Sequence, residues 1–181
     1  MRRSPRQPRP PLDEASLNEL MLAYVARFAT SRAKLGAYLA RKLRERGWSG
    51  PGEPPVPELV AKATRSGFVD DAAYALGKAR SLTARGYGGR RVAQALQAAG
   101  VADEDGQAAR DHAREAAAEA ALRFARRRRF GPFAASPPDP ATRERQLAAM
   151  IRAGHDFRLA KAVLNLPPGS DADSQMLEGK S

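Results

Sequence analysis

The sequence predicts an all-α fold: three tandem three-helix repeats forming an elongated, curved body. Three observations predict it. Aromatic residues are only 6% of the chain, and alanine and leucine do most of the apolar work, a composition that favours helices. Apolar residues recur at helical spacing, and glycine followed by a bulky apolar residue recurs as a helix stop: Gly47-Trp48, Gly67-Phe68, Gly86-Tyr87 and Gly100-Val101. Glycine takes the left-handed position after a helix without a Cβ penalty, and the next residue folds back on the last turn.

The elements follow in order. Residues Met1 to Pro11, "MRRSPRQPRPP", hold four arginines, four prolines and no acid, and read with the next two positions as a disordered basic arm, 1–13. It serves as a solubilising tail or touches phosphate. Leu17, Leu20, Met21, Tyr24, Val25 and Phe28 share one helix face, with Ser16 or Asp13 as its cap. Ser31 opens a second helix with Leu35, Leu39 and Leu43 inside. After the loop "WSGPGEPPVP", a third helix covers about Pro57 to Arg65, with Val56, Leu59 and Val60 apolar.

Asp70 caps the helix that "GFVDD" restarts. "GYGGRR" restarts the chain again, with Gly88 or Gly89 leading into a helix that carries Val92 and Leu96. Ser31 to Leu39 and Gly88 to Leu96 share a small residue, then basic residues, then two apolar positions four apart. Thr142 to Ile151 gives a weaker third copy through Leu147 and Ile151, ending at Gly154. The repeats are expected at 14–69, 70–112 and 113–168, with a flexible tail at 169–181. Stacked repeats of this kind bury a shared core between neighbours.

Charge limits the function. Lysine plus arginine number 31 against 20 acids, a net charge of +11, which attracts polyanions or acidic protein surfaces at long range. There is no cysteine, so disulfides, thiol catalysis and Cys-based zinc sites are excluded. No apolar run approaches the roughly 18–20 residues of a membrane span. The basic start lacks the apolar stretch of a secretory leader. A soluble cytoplasmic monomer is expected, with no cofactor and no membrane partner.

Enzymatic signals are thin. His112 and His155 stand far apart, and surface or cap positions are expected for both. Asp70 and Asp71 sit at a helix start, where acids suit the dipole. "GYGGRR" lacks P-loop spacing. No nucleophile has a base, and acid clusters for metal ions are missing.

Basic clusters are stronger. Arg126, Arg127, Arg128 and Arg129 end the helix that runs from Glu115. Consecutive residues point around a helix, so only two or three can meet one flat partner; alternatively they complement the helix dipole. Arg80 and Arg85 lie on one helix, and Arg90 and Arg91 open the next. An arginine at a helix start opposes the dipole by roughly a few tenths of a kcal/mol, so either an outside partner rewards Arg90 or that small cost is tolerated. Tyr87 reads as the apolar residue after a helix-stop glycine, ahead of base stacking.

The segment "SGFVDDAAYALGKARSLTARGYGGRRVAQALQAAGV", Ser66 to Val101, resembles the central repeat of the RecX family, regulators of the bacterial RecA recombinase. Gly67, Phe68, Asp70, Asp71, Arg80, Arg85, Gly86, Tyr87, Gly88, Arg91, Val92, Leu96 and Gly100 carry the pattern. "ATSRAKLGAYLARKL" resembles part of the family's first repeat, and "ALRFARRRRFGPF" with "TRERQLAAMIRAGHDFRLAKAVL" its last. The resemblance implies three three-helix repeats, no catalytic site, and binding along the RecA–single-stranded-DNA filament, chiefly in its helical groove. That binding damps ATP hydrolysis, strand exchange and co-protease activity. Arg80, Arg85, Tyr87, Arg90 and Arg91, with Arg126 to Arg129, are the expected contacts to RecA or to single-stranded-DNA phosphates. The other reading is a free-standing helix-turn-helix DNA binder, with Gln94 and Gln97 as base readers.

Overall fold

A computed structural model describes residues 10–171. Among them lie nine α-helices and no named strand: α1 (Glu14–Val25), α2 (Arg32–Arg46), α3 (Val56–Arg65), α4 (Asp71–Ala84), α5 (Gly89–Gln97), α6 (Gln107–Glu115), α7 (Ala117–Arg128), α8 (Pro140–Arg152) and α9 (Phe157–Asn165). A 3₁₀ turn covers Gly131–Phe133. The all-α expectation holds. The helices divide into two compact units, residues 10–74 with 99–101, and residues 75–98 with 102–171.

In the first unit, Asp13 and Ser16 share the work of starting α1. The Asp13 carboxylate accepts from the Ser16 N–H at 2.9 Å, and the Asp13 N–H donates to the Ser16 hydroxyl at 3.0 Å. That reciprocal box satisfies donors the helix cannot satisfy itself. It also holds the Asp13 carboxyl below the usual carboxylate range, chiefly through the Ser16 side-chain hydrogen bond. Leu17 and Met21 point into a core completed by Leu35, Leu39, Leu59, Ala63 and Val69.

Phe28 departs from its expected place. α1 stops at Val25, and Phe28 lies in the loop beyond it, 57% exposed. The expected arm also ends sooner than position 13. Leu12 is fully buried, its N–H donates to Gly47 O at 3.0 Å, and its carbonyl accepts from Ser49 N–H at 2.9 Å. An apolar side chain with both backbone groups satisfied belongs to the fold. The remainder of the arm, residues 1–9, and the tail from 172 onward lie outside the described residues.

Ser31 caps α2, its hydroxyl accepting from Lys34 N–H at 3.2 Å. The same hydroxyl donates to Ala99 O at 2.5 Å. Asp70 caps α4 through Ala73 N–H, as expected. Asp71 does something else: its carboxylate accepts from the Arg32 backbone N–H at 2.8 Å and from Arg32 Nε at 3.1 Å, with its side chain 2% exposed. The second acid of the pair fastens the start of α2 to the start of α4.

In the second unit, α7, α8 and α9 enclose Leu122, Phe124, Met150, Ala160, Val163 and Leu164. The α8 stripe is shifted from the expected one. Gln146 and Met150 are buried, while Leu147 and Ile151 are half-buried. α7 starts at Ala117, because α6 ends at Glu115 and Ala116 breaks the helical run. Arg129 lies past the end of α7 with φ +57°, taking the left-handed place that glycine takes elsewhere.

Candidate polyanion-binding surface

The joint between α4 and α5 is built from its glycines. Gly86 has φ +79°; its N–H donates to Thr83 O at 2.8 Å, and the Tyr87 N–H donates to Leu82 O at 3.0 Å. These two bonds close the last turn of α4 in the manner the glycine stop predicts. A Cβ on Gly86 would come within 2.9 Å of Phe124 N, so α7 also requires glycine here. Tyr87 is half-buried and packs on the α7–α9 core, which is its expected structural role.

Gly88 caps α5 and meets the end of α8. Its N–H donates to Ala153 O at 3.0 Å, and the Arg90 N–H donates to Gly154 O at 3.1 Å. Gly154 has φ +93°, and a Cβ there would lie 2.4 Å from Arg91 N. The first unit holds a matching arrangement: Ser31 at the start of α2 meets Ala99, and a Cβ on Gly100 would lie 2.5 Å from Ala33 Cβ.

Both histidines serve this joint. His155 is 1% exposed, so the expected surface position is corrected. Its Nε2 lies 3.1 Å from Gly86 O, and its ring stands edge-on to Phe124 at 5.5 Å. Burial pushes its pKa below the ordinary 6.5. The neutral ring therefore carries its proton on Nε2, the nitrogen facing a carbonyl acceptor. His112 Nε2 lies 3.1 Å from the buried Thr83 hydroxyl, in the last turn of α4. The signal for His155 was present: Gly154-His155 is one more glycine stop, with His155 N–H donating to Met150 O at 3.1 Å.

On this frame the expected arginines are displayed. Arg80, Arg85, Arg90 and Arg91 are all exposed. Arg85 lies one position past α4, not on it; its Nε donates to Ser81 O at 3.1 Å and its guanidinium sits 5.6 Å from the Tyr87 ring centre. Arg127 reaches the same place, donating to Arg85 O at 2.6 Å. The structure thus joins the α7 arginine run to the joint through one residue of the four. Arg126 lies over Phe133 at 4.8 Å, and Arg128 over Phe124 at 5.7 Å. All four of Arg126 to Arg129 are exposed.

Arg90 faces a cleft of about 340 Å³ that Arg110 and Arg114 of α6 also line, with Ala93, Ala113 and Leu159 among its walls. Arg110 and Arg114 escaped the sequence reading, although their spacing puts them on one face of α6. Each has an acidic neighbour: Asp103 lies 3.3 Å from Arg110, and Asp111 lies 2.8 Å from Arg114. Asp156 on the cleft edge is held below the usual carboxylate range, first by the N–H groups of Leu159 and Arg158, and further by Arg90.

Guanidinium groups offer planar, paired donors to phosphate or carboxylate oxygens. The arrangement can bind anions. Among the described residues, no group of three or more His, Cys, Asp or Glu side chains could hold a metal ion. No helix among them is long and apolar enough to cross a membrane.

Comparison with known proteins agrees with the residue pattern. A family model described as RecX, second three-helix domain, matches residues 70–109. The chain is 36% identical over 174 residues to the regulatory protein RecX of Myxococcus xanthus (strain DK1622), covering 92% of each. It is 36% identical over 96 residues to the regulatory protein RecX of Agrobacterium fabrum, across 53% of this chain and 51% of that one. A crystal structure of regulatory protein RecX superposes with a TM-score of 0.59 at 18% identity, over 83% of this chain and 70% of the other. That of RecX from Lactobacillus salivarius gives 0.59 at 15% identity, over 82% and 92%. These two structural likenesses concern the fold.

Proposed function

Because the chain belongs to the RecX family, we propose that it binds the RecA–single-stranded-DNA filament. There it modulates, mainly by inhibiting, RecA's ATPase, strand-exchange and co-protease activities. The observation that carries this reading is the match to a regulatory protein RecX along 92% of both chains. Family membership supports RecA as the partner, and the net charge of +11 suits a filament that contains nucleic acid.

Arg80, Arg85, Arg90 and Arg91 supply the charge, with Arg126 to Arg129 in support and Tyr87 as the packed pivot. The mechanism is binding without chemistry. Glycines 86 and 88, with the two histidines, hold the α4–α5 joint, so its backbone is already ordered before the guanidinium groups on either side meet an anion. The working units are three-helix repeats: α1–α3, α4–α6 and α7–α9.

Titration of the protein into the cognate RecA's DNA-dependent ATPase tests the reading. Inhibition at or below stoichiometric amounts is expected. No effect across the titration sinks it. Tight binding to one duplex over random DNA in the absence of RecA points instead to a free-standing DNA binder, with the exposed Gln94 and Gln97 reading bases.

A further inference from the structure

The first unit carries an aromatic ladder that the preceding reading does not use. Tyr24 on α1 and Tyr38 on α2 stack face to face, with ring centres 4.1 Å apart and planes within 16°. Phe28 leans on the pair at an angle: its N–H donates to Tyr24 O at 3.0 Å, and its ring centre lies 5.3 Å from that of Tyr24 with the planes at 47°, a tilted contact rather than a third parallel layer. On Tyr38 sit two cations, Arg41 at 5.6 Å and Lys42 at 5.9 Å from the ring centre. Tyr24 and Tyr38 are half-buried and pack on the core, so their stacking is structural. Phe28 is different. It is 57% exposed, the most exposed of the large apolar side chains described.

An exposed aromatic ring with basic residues in the same unit is how proteins hold unpaired single strands. Each base offers a flat π face, and the neighbouring cations draw its phosphates. α2 supplies those cations: "RAKLGAYLARKLRER" carries six basic residues, of which Arg32 is held by Asp71, and one acid, Glu45. Glu45 ties up part of Arg41 and Lys42, at 3.6 and 2.6 Å; the Arg41 pair is exposed and weak, while the Lys42 side chain is half-buried.

We propose that Phe28, backed by the Tyr24–Tyr38 pair, stacks an unpaired nucleobase of single-stranded DNA, while the cations of α2 near Tyr38 hold phosphates further along the strand. This site rests on the single-stranded-DNA part of the filament reading but needs no RecA. It reads the base face, so it accepts any sequence and prefers a strand with bases over one without them.

Fluorescence anisotropy without RecA tests it, using labelled oligo(dT) and an abasic oligonucleotide of equal length and charge. The wild-type protein should prefer oligo(dT). Phe28→Ala should weaken oligo(dT) binding by about tenfold, leaving abasic binding and helicity unchanged. Phe28→Trp should keep the preference, with emission quenched on adding oligo(dT). Equal wild-type binding to both oligonucleotides overturns the proposal. So does a Phe28→Ala loss that falls on both or on neither. A loss confined to RecA-containing assays would assign Phe28 to a protein partner instead. Inhibition of RecA's ATPase by wild-type protein that shows no base preference removes the ladder and leaves the filament reading standing.

Discussion

The carbonyl oxygen of Gly154 lies 2.3 Å from where Gly88 would carry a Cβ. The end of α8 and the start of α5 touch through their backbones, and no side chain fits between them. This close approach sets how Arg90 and Arg91 are presented.

Gly88→Ala should therefore destabilise the protein by about 1–3 kcal/mol, the usual cost of overpacking a closed site. Gly89 is the internal control: a Cβ there meets nothing within 4 Å, and it sits inside a helix where alanine is the better former. Thermal unfolding should show a melting temperature several degrees lower for Gly88→Ala and unchanged or higher for Gly89→Ala. Equal losses at both positions contradict the close approach.

Asp71 fastens α2 to α4 through two bonds from Arg32, one of them from the backbone. Asp71→Ala removes both acceptors from a site that is nearly closed to water, and should cost about 1–3 kcal/mol. Asp71→Asn keeps an oxygen for the Arg32 backbone N–H and should cost less. Urea unfolding distinguishes the two; identical losses would mean the backbone bond contributes nothing.

Stability should fall as the pH drops through the histidine range. Burial depresses the His155 pKa in the folded state below its ordinary 6.5, so the unfolded chain takes up the proton first. The contribution of the neutral buried ring is complete above that value and is lost progressively below it. His155→Gln keeps a donor for Gly86 O and cannot titrate, so its stability curve should be flatter between about pH 7.5 and 5.5. A second fall belongs lower. Hydrogen bonds to Asp13, Glu45, Asp139 and Asp156 hold these carboxyls below their ordinary 3.8 to 4.5, so their stabilisation is lost as pH falls below that range.

Replacing Arg90 and Arg91 together by alanine should weaken inhibition of RecA and flatten its dependence on salt. For every phosphate that is no longer neutralised, the logarithmic salt slope should fall by about 0.7–0.9. Arg91→Ala keeps the Cβ that packs at Gly154, so helicity should not change. ATPase inhibition measured across a salt series gives the slope; an unaltered slope removes these two residues from the surface.

Local rules read well along this chain. The expected glycine stops at 47, 67, 86 and 100 all have positive φ, as does Gly154, although Gly47 with ψ 173° is not in the left-handed helical conformation. Ser31 and Asp70 cap the helices they were expected to cap, and of the two glycines expected to lead into α5 it is Gly88 that caps it. Such features depend on a few adjacent residues. Phe68 shows where the rule thins: its N–H closes the turn onto Ala63 O at 2.9 Å, yet its ring stays 56% exposed while Val69 takes the buried place. Backbone bonding follows from glycine, but which neighbour is buried depends on what packs opposite.

The candidate surface was legible in part. Arginine positions are written in the sequence, and Arg90 and Arg91 open α5 as expected. That Arg127 reaches Arg85, and that Arg110 and Arg114 share a cleft with Arg90, could not be read. Those pairs are brought together across helices by the packing of α6 and α7.

By itself the sequence determined the helical class, the stops, most of the caps and the excess of positive charge, because each is set by local backbone preference or by composition. Only the tertiary structure decided that His155 is a buried clamp on Gly86 and that Asp71 is a lock on Arg32. It also decided that Gly88 and Gly154 leave no room for a side chain between them. The reason is physical: these pairings join residues dozens of positions apart, and a polar side chain becomes a clamp only when packing has removed its water and placed one particular partner within reach.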